Sequence, residues 1–171
     1  VREAAEASAP ALGLAVWDDP HNTDAAYARA RVRHTALPTL EQQVGPGVGA
    51  ALARTAALLR DDCDALDAWA EQEQGRLLRD GPGGALDVDA VGLSALPRAV
   101  RTRVLRLAAL TAGAPAGDLR HGHVTTLDSL VMADATGSVA DLPGVRAHRR
   151  AGVLRLQSRD TPAAGIADVA G

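Results

Sequence analysis

The residues of this 171-residue chain that could do chemistry are its arginines. All 18 basic residues are Arg, and Lys is absent. A guanidinium stays charged and offers a planar fork of donors that matches a phosphate. Three groups stand out. Arg29, Arg31 and Arg33 follow a turn-like Asp-Pro-His-Asn stretch. At about 100° per residue, Arg29 and Arg33 lie about 40° apart on one helical face with Val32, Ala36 and Leu40, whereas Arg31 and Tyr27 point elsewhere. Two arginines in an apolar arc are costly unless something anionic meets them. The readings that follow are contact with a phosphate, or else snorkelling to solvent or pairing with Asp18, Asp19 or Asp24 to brace the turn.

The second group is Arg98, Arg101, Arg103 and Arg106. On a helical wheel Arg98, Arg101 and Arg106 form an outward arc opposite Leu96, Val100, Val104 and Leu107. Arg103 falls between Leu96 and Leu110 and is expected to be partly buried and paired. The third group, Arg146, Arg149, Arg150 and Arg155, lies on a predicted hairpin. With Arg120, His121 and His123 these residues could make one basic surface for RNA. Aromatics are 2% of the chain and none interleaves with the arginines, which argues for backbone contact over base stacking. The competing reading is a set of solvated arginines.

Other chemistries find little support. His121 and His123 would project about 200° apart on a helix, with no acidic or Cys partner at a useful spacing, so no metal site is expected. Cys63 is the single cysteine, which excludes an internal disulfide and fits a reducing, cytoplasmic compartment. Gly81-Pro82-Gly83-Gly84 lacks the Lys and Ser/Thr of a phosphate loop. No Ser-His-Asp arrangement stands out. The run Asp61, Asp62, Asp64, Asp67, Glu71, Glu73 reads as a solvated helical face. No apolar run reaches the roughly 18 residues of a membrane span. The chain begins with Val and no signal segment follows, so it reads as the interior of a longer product.

The elements that must position these residues are mostly helical. Of 171 residues 37 are Ala, one is Ile and none is Phe. Small side chains bury little area each, which favours closely packed helices. Missing Lys and Phe with almost no Ile also suggests a genome biased toward G and C codons. Periodicity predicts a short helix over 2–12, a brief extended stretch over 14–17, and a helix over 24–43 kinked or broken near Leu37 by Pro38. Gly45-Pro46-Gly47 breaks the pattern. A helix over 48–79 follows, roughly 48 Å long, ended by the Gly-rich loop, which reads as a linker. Then come a short strand at 86–89, a helix capped by Ser94 and reaching Ala112, a helix over 119–133, a strand at 139–142, and a hairpin over 145–156 turning at 150–152. Residues 1–90 carry 8 Arg against 15 Asp and Glu, a net of −7; residues 91–171 carry 10 Arg against 6 Asp, a net of +4. The expected fold is mostly α: a helical linker region with a long helix, followed by a small α+β substrate-binding domain with a short sheet or hairpin. The boundaries expected are 1–45, 46–84, 85–157 and a disordered tail over 158–171.

The string Trp17-Asp18-Asp19-Pro20-His21-Asn22-Thr23-Asp24, followed by Tyr27, Arg29, Arg33 and Leu37-Pro38, resembles a stretch of the tRNA(Ile)-lysidine synthetase family. There a W-x-D-P-S-N-x-D turn precedes an R-N-x-x-R helix and a following L-P. Here His21 stands for the Ser and Ala30 for the Asn. Leu96-Pro97, Arg103-Val104-Leu105-Arg106, His123, Leu130-Val131, Gly137 and Leu142-Pro143-Gly144 resemble that family's C-terminal substrate-binding domain. The resemblance covers roughly 1–157.

The resemblance implies an enzyme that spends ATP to join lysine to the wobble cytidine of a CAU-anticodon isoleucine tRNA. Its ATP, with Mg²⁺, is held by an N-terminal domain carrying Ser-Gly-Gly-x-Asp-Ser, a motif not found in these residues. The chain would then be a tRNA-binding portion, inactive alone, with tRNA(Ile) as partner and a dimer left open. No catalytic or metal residue is expected in it. The candidate tRNA or phosphate contacts are Asn22, Arg29, Arg33, Arg98, Arg101, Arg106, Arg149 and Arg150. The alternative is a helical interaction module whose arginines meet an acidic protein.

Overall fold

Pro38 shapes the first helical element. A computed structural model describes Leu12 and residues 24–133 and 137–159. The expected elements before residue 24, the turn that holds Asn22 and the tail from 160 lie outside the described residues; Leu12 itself sits in a turn. Asp24 Oδ1 accepts from the amide of Ala26 and starts the chain into α1 (Ala28–Arg31). A π-helical turn over Val32–Ala36 leads into α2 (Leu37–Val44). The Leu37 amide donates to the Val32 carbonyl, five residues back. Pro38 has no amide to give His34 and its ring crowds that carbonyl, so the wider turn relieves the clash. The kink expected at Leu37 is thus a π-turn, and the backbone stays helical through it, with φ −62° and ψ −47° at Leu37.

Gly45 and Gly47 take φ of +122° and +96°, angles that stop the helix and suit glycine. Glu41 then reaches forward: its two carboxylate oxygens accept from the amides of Gly47 and Gly49. That satisfies open donors at the start of α3 (Val48–Leu77), whose 30 residues make a rod of about 45 Å. No helix among the described residues is long and apolar enough to cross a membrane.

The chain divides into two compact units, Val1–Leu59 and Arg60–Gly171. In the first, Ala30 is buried, while Val32, Leu40, Val44, Leu52, Leu58 and Leu59 are exposed. The second holds the core. Here α3 passes directly into β1 (Leu78–Asp80), and a 3-10 turn (Pro82–Gly84) leads to β2 (Leu86–Asp89). The Gly-rich segment expected as a linker is therefore the turn of a hairpin, with Leu78 opposite Val88 and Asp80 opposite Leu86.

Two helices follow where one was expected: α4 (Ala90–Ala95) and α5 (Arg98–Thr111). Leu96, preceding Pro97, is extended at φ −77° and ψ 149°, because a proline ring disfavours helical angles on the residue before it. The cap is also not Ser94, whose hydroxyl donates to the Val91 carbonyl. Asp89 accepts from the amides of Val91 and Gly92 instead. Then come α6 (His121–Met132), β3 (Val139–Leu142), β4 (Val145–Arg150) and β5 (Val153–Ser158). The β4–β5 turn sits where the sequence placed it, with positive φ at both Ala151 and Gly152, as a two-residue hairpin requires.

The antiparallel sheet has the order β1-β2-β5-β4-β3. It is larger than the short sheet expected, because the hairpin after α3 joins it. Helices cover one face. Val88, Leu154, Leu156, Val145 and Ala147 point into that layer and meet Leu93, Val100, Val104, Leu105 and Leu127, all fully buried. Each such Leu or Val contributes about 1.5–3 kcal/mol. Ala108 and Ala109, also fully buried, let α5 lie close to its neighbours. The caps give a direct test by thermal melts. Asp89→Ala is expected to cost about 0.5–2 kcal/mol, and Ser94→Ala under about 0.5 kcal/mol.

Candidate nucleic-acid interface

The arginines of α5 split between two tasks. Arg98 and Arg106 are exposed, with Thr102 between them on the same stripe. That stripe is about 12 Å long at the helical rise. Arg101, expected beside them, is instead buried, 7% exposed. Its Nε lies 2.5 Å from Asp128 Oδ1, and its Nη1 donates to the Leu96 carbonyl at 2.8 Å. Arg98 shares the same carboxylate at 3.3 Å while its side chain stays 62% exposed. The wheel of α5 alone turns Arg101 outward; α6 packs against that flank and brings Asp128 with it. Asp128 is the residue that reading the sequence missed. Its signal was a lone carboxylate among Val124, Leu127, Leu130 and Val131, which a buried position allows only with a cationic partner.

Arg103 is paired and partly buried, as expected, but with its side chain still 27% exposed; its partner is Asp67 of α3, and Cys63 Sγ lies 3.7 Å away. The acidic run of α3 is accordingly not all solvated: Glu73 is buried and takes hydrogen bonds from Trp69 and Arg76. Arg106 donates to the Leu119 carbonyl and stands near the exposed Arg120 at the start of α6. His123 Nδ1 accepts from the Arg120 amide, so it serves as a cap. His121 is exposed, and among the described residues no cluster could hold a metal ion.

The third group lies on β4 and β5, where alternation sorts the side chains. Val145, Ala147 and Arg149 face the helices; Arg146, His148 and Arg150 face outward. Arg149, expected on the surface, is 5% exposed, because the register puts it on the core side. Arg150 remains a surface cation. On the open face Asp87 binds Arg155 through both oxygens, at 2.6 and 2.7 Å, which keeps that guanidinium firmly charged. Asp141 accepts from Arg146 at 2.9 Å and from Arg159 at 2.7 Å. The Arg146 hydrogen bond, with help from Arg159, holds the Asp141 carboxyl below the usual aspartate range.

In the first unit Arg29 and Arg33 are exposed, and so are Val32, Ala36 and Leu40. The turn-bracing task falls to Arg31, whose Nη1 donates to the carbonyls of Ala25 and Ala26 at 2.8 and 2.7 Å. Asn22 lies outside the described residues.

These pairings carry two tests. Arg101→Ala leaves Asp128 buried without its main partner and is expected to cost about 3–5 kcal/mol, whereas Arg103→Ala removes a largely exposed pair worth about 0.2–1 kcal/mol. Thermal melts check both; equal losses would mean the Asp128 pair is solvated. An NMR titration is expected to place the Asp141 midpoint below 3.8, with Arg146→Ala moving it back up. The folded value lies below the unfolded one. This pair therefore favours folding above the unfolded pKa, and its contribution fades as pH falls through the folded value.

Residues 89–155, which run from the cap of α4 into β5, match the family model described as TilS substrate binding domain. The tRNA(Ile)-lysidine synthase of Thermobifida fusca is 55% identical over 149 residues, 87% of this chain and 45% of that protein. The tRNA(Ile)-lysidine synthases of Streptomyces coelicolor and Salinispora arenicola are each 48% identical. They match 88% and 95% of this chain, and 42% and 48% of their own lengths. The chain thus spans somewhat less than half the length of these relatives. With a substrate-binding-domain match over α4–β5 and such identity over most of its length, the chain is similar to a part of the tRNA(Ile)-lysidine synthases.

Proposed function

We propose that this chain supplies a tRNA-binding surface of a tRNA(Ile)-lysidine synthase. The observation that carries the reading is that the substrate-binding-domain match, over 89–155, contains Arg98, Arg106 and Arg150, all exposed on the two-layer unit. Guanidinium groups mounted on an α-helix and a strand suit a phosphate backbone, which needs positive charge at defined spacing. Arg101, which ties α5 to α6 through Asp128, and Arg149, which is buried, leave the candidate list as direct contacts. Arg29 and Arg33 stay on it as exposed cations of the first unit. In the whole enzyme this surface would position the isoleucine tRNA while its wobble cytidine is joined to lysine at the expense of ATP. No residue of this chain is assigned to ATP, Mg²⁺ or lysine, and catalysis by the chain alone is not expected. A cytoplasmic setting follows from that substrate.

The test is a salt titration of tRNA binding. The logarithm of affinity is expected to fall linearly with the logarithm of salt concentration. Arg98→Ala, Arg106→Ala and Arg150→Ala should each weaken binding about three- to tenfold and flatten the slope by about one ion. With ATP, Mg²⁺, lysine and tRNA added, AMP release should stay at the blank. A response independent of salt, or turnover above the blank, would overturn the assignment.

A further inference from the structure

The open face of the sheet carries two adjoining depressions, of whose lining the phosphate-contact reading uses only Arg150. One, about 530 Å³, is lined by His148, Arg150, Ala151, Val153, Arg155 and Gln157. The other, about 380 Å³, includes Arg76, Arg79 and Asp87 and shares Val153 with the first. We propose that this face holds an unpaired nucleotide of an RNA strand, its base laid on the Arg155 guanidinium and the His148 ring. The inference rests on the tRNA-binding reading and specifies which RNA element this face takes.

The argument starts from Asp87. Its two bonds to Nε and Nη2 of Arg155 fix the plane of a group that otherwise swings freely, while the side chain stays 42% exposed. His148 is the direct cross-strand partner of Arg155, so the two flat groups stand about 5 Å apart at Cβ. Unstacked RNA bases pack on Arg and His planes, and a chain without aromatics on this face still has that platform. Gln157, two residues along β5 on the same face, offers an amide donor and acceptor to a base edge. Arg150, two residues along β4, is exposed and makes no ion pair with a described residue, so it is available to the phosphate. The carboxylates nearby are already engaged: Asp87 by Arg155, Asp141 by Arg146 and Arg159, Asp89 by the α4 amides. The second depression, with Arg76 and Arg79, continues the path for a neighbouring nucleotide. That favours a strand over a free mononucleotide. A volume of this size suits a nucleotide-sized ligand.

The experiment measures affinity of the 171-residue chain for a single-stranded RNA octamer, a blunt RNA duplex, tRNA and AMP. Arg155→Lys keeps the charge and loses the plane. It is expected to lower octamer affinity at least fivefold more than duplex affinity, and His148→Ala, at an exposed ring, should shift the ratio the same way. An octamer lacking its bases should bind the original chain like the variants. Unchanged selectivity in both variants would overturn the proposal, as would failure of the octamer to bind while tRNA binds. AMP competing as well as the octamer would overturn the strand reading. Octamer binding that depends on Arg155 while tRNA fails to bind would keep this site and sink the tRNA assignment.

Discussion

The pairing of β2 with β5 is the constraint from which the rest of the second unit follows. It joins Val88 to Leu154 and Asp87 to Arg155, segments separated by nearly the whole α+β part of the chain. Without it the hairpin after α3 would be a marginal two-stranded ribbon, separate from the three strands β5-β4-β3, each piece with a face to cover. With it they form one sheet with one apolar face. The same register sets the parity of every residue on β4 and β5, since a slip of one position would turn Val145, Ala147, Leu154 and Leu156 to solvent. Burying those four fully locks Arg149 inward and Arg146, His148 and Arg150 outward.

That lock divides the arginines by neighbour rather than by type. Arg101 and Arg149 sit inside the layers, and Arg101 with Asp128 ties α5 to α6. Burying a charge is worthwhile only with a partner of good geometry, and a 2.5 Å contact plus a carbonyl acceptor supplies it. Arg98, Arg106 and Arg150 stay at the surface, where their donors can reach a phosphate. A chain that uses Arg for every cation thus employs one side chain both as an internal brace and as an exposed surface charge. A lysine could replace neither fork with equal geometry.

The first unit shows the complementary situation. Its described residues carry clear local signals: the Asp24 turn, the Pro38 π-turn, the Gly45 and Gly47 stops and the Glu41 cap. Yet Val32, Leu40, Val44, Leu52, Leu58 and Leu59 remain exposed. In the α+β unit the larger branched side chains are spaced for burial and meet in one core.

What the sequence determined by itself is what depends on near neighbours. The helix over Val48–Leu77, the apolar face of α6, the β4–β5 turn at Ala151-Gly152 and the motifs that resemble the lysidine synthetase family all rest on spacing within a few residues. What only the tertiary structure decided depends on which distant segment arrives on a given flank. Asp128 turned Arg101 from a surface residue into a brace, the sheet register buried Arg149, and β2–β5 pairing made a Gly-rich loop the turn of a hairpin. The helical wheel orients a side chain relative to its own axis, and strand alternation orients it relative to its own pleat. Neither says what lies opposite, and it is the partner opposite that determines whether a guanidinium supports the fold or faces the solvent.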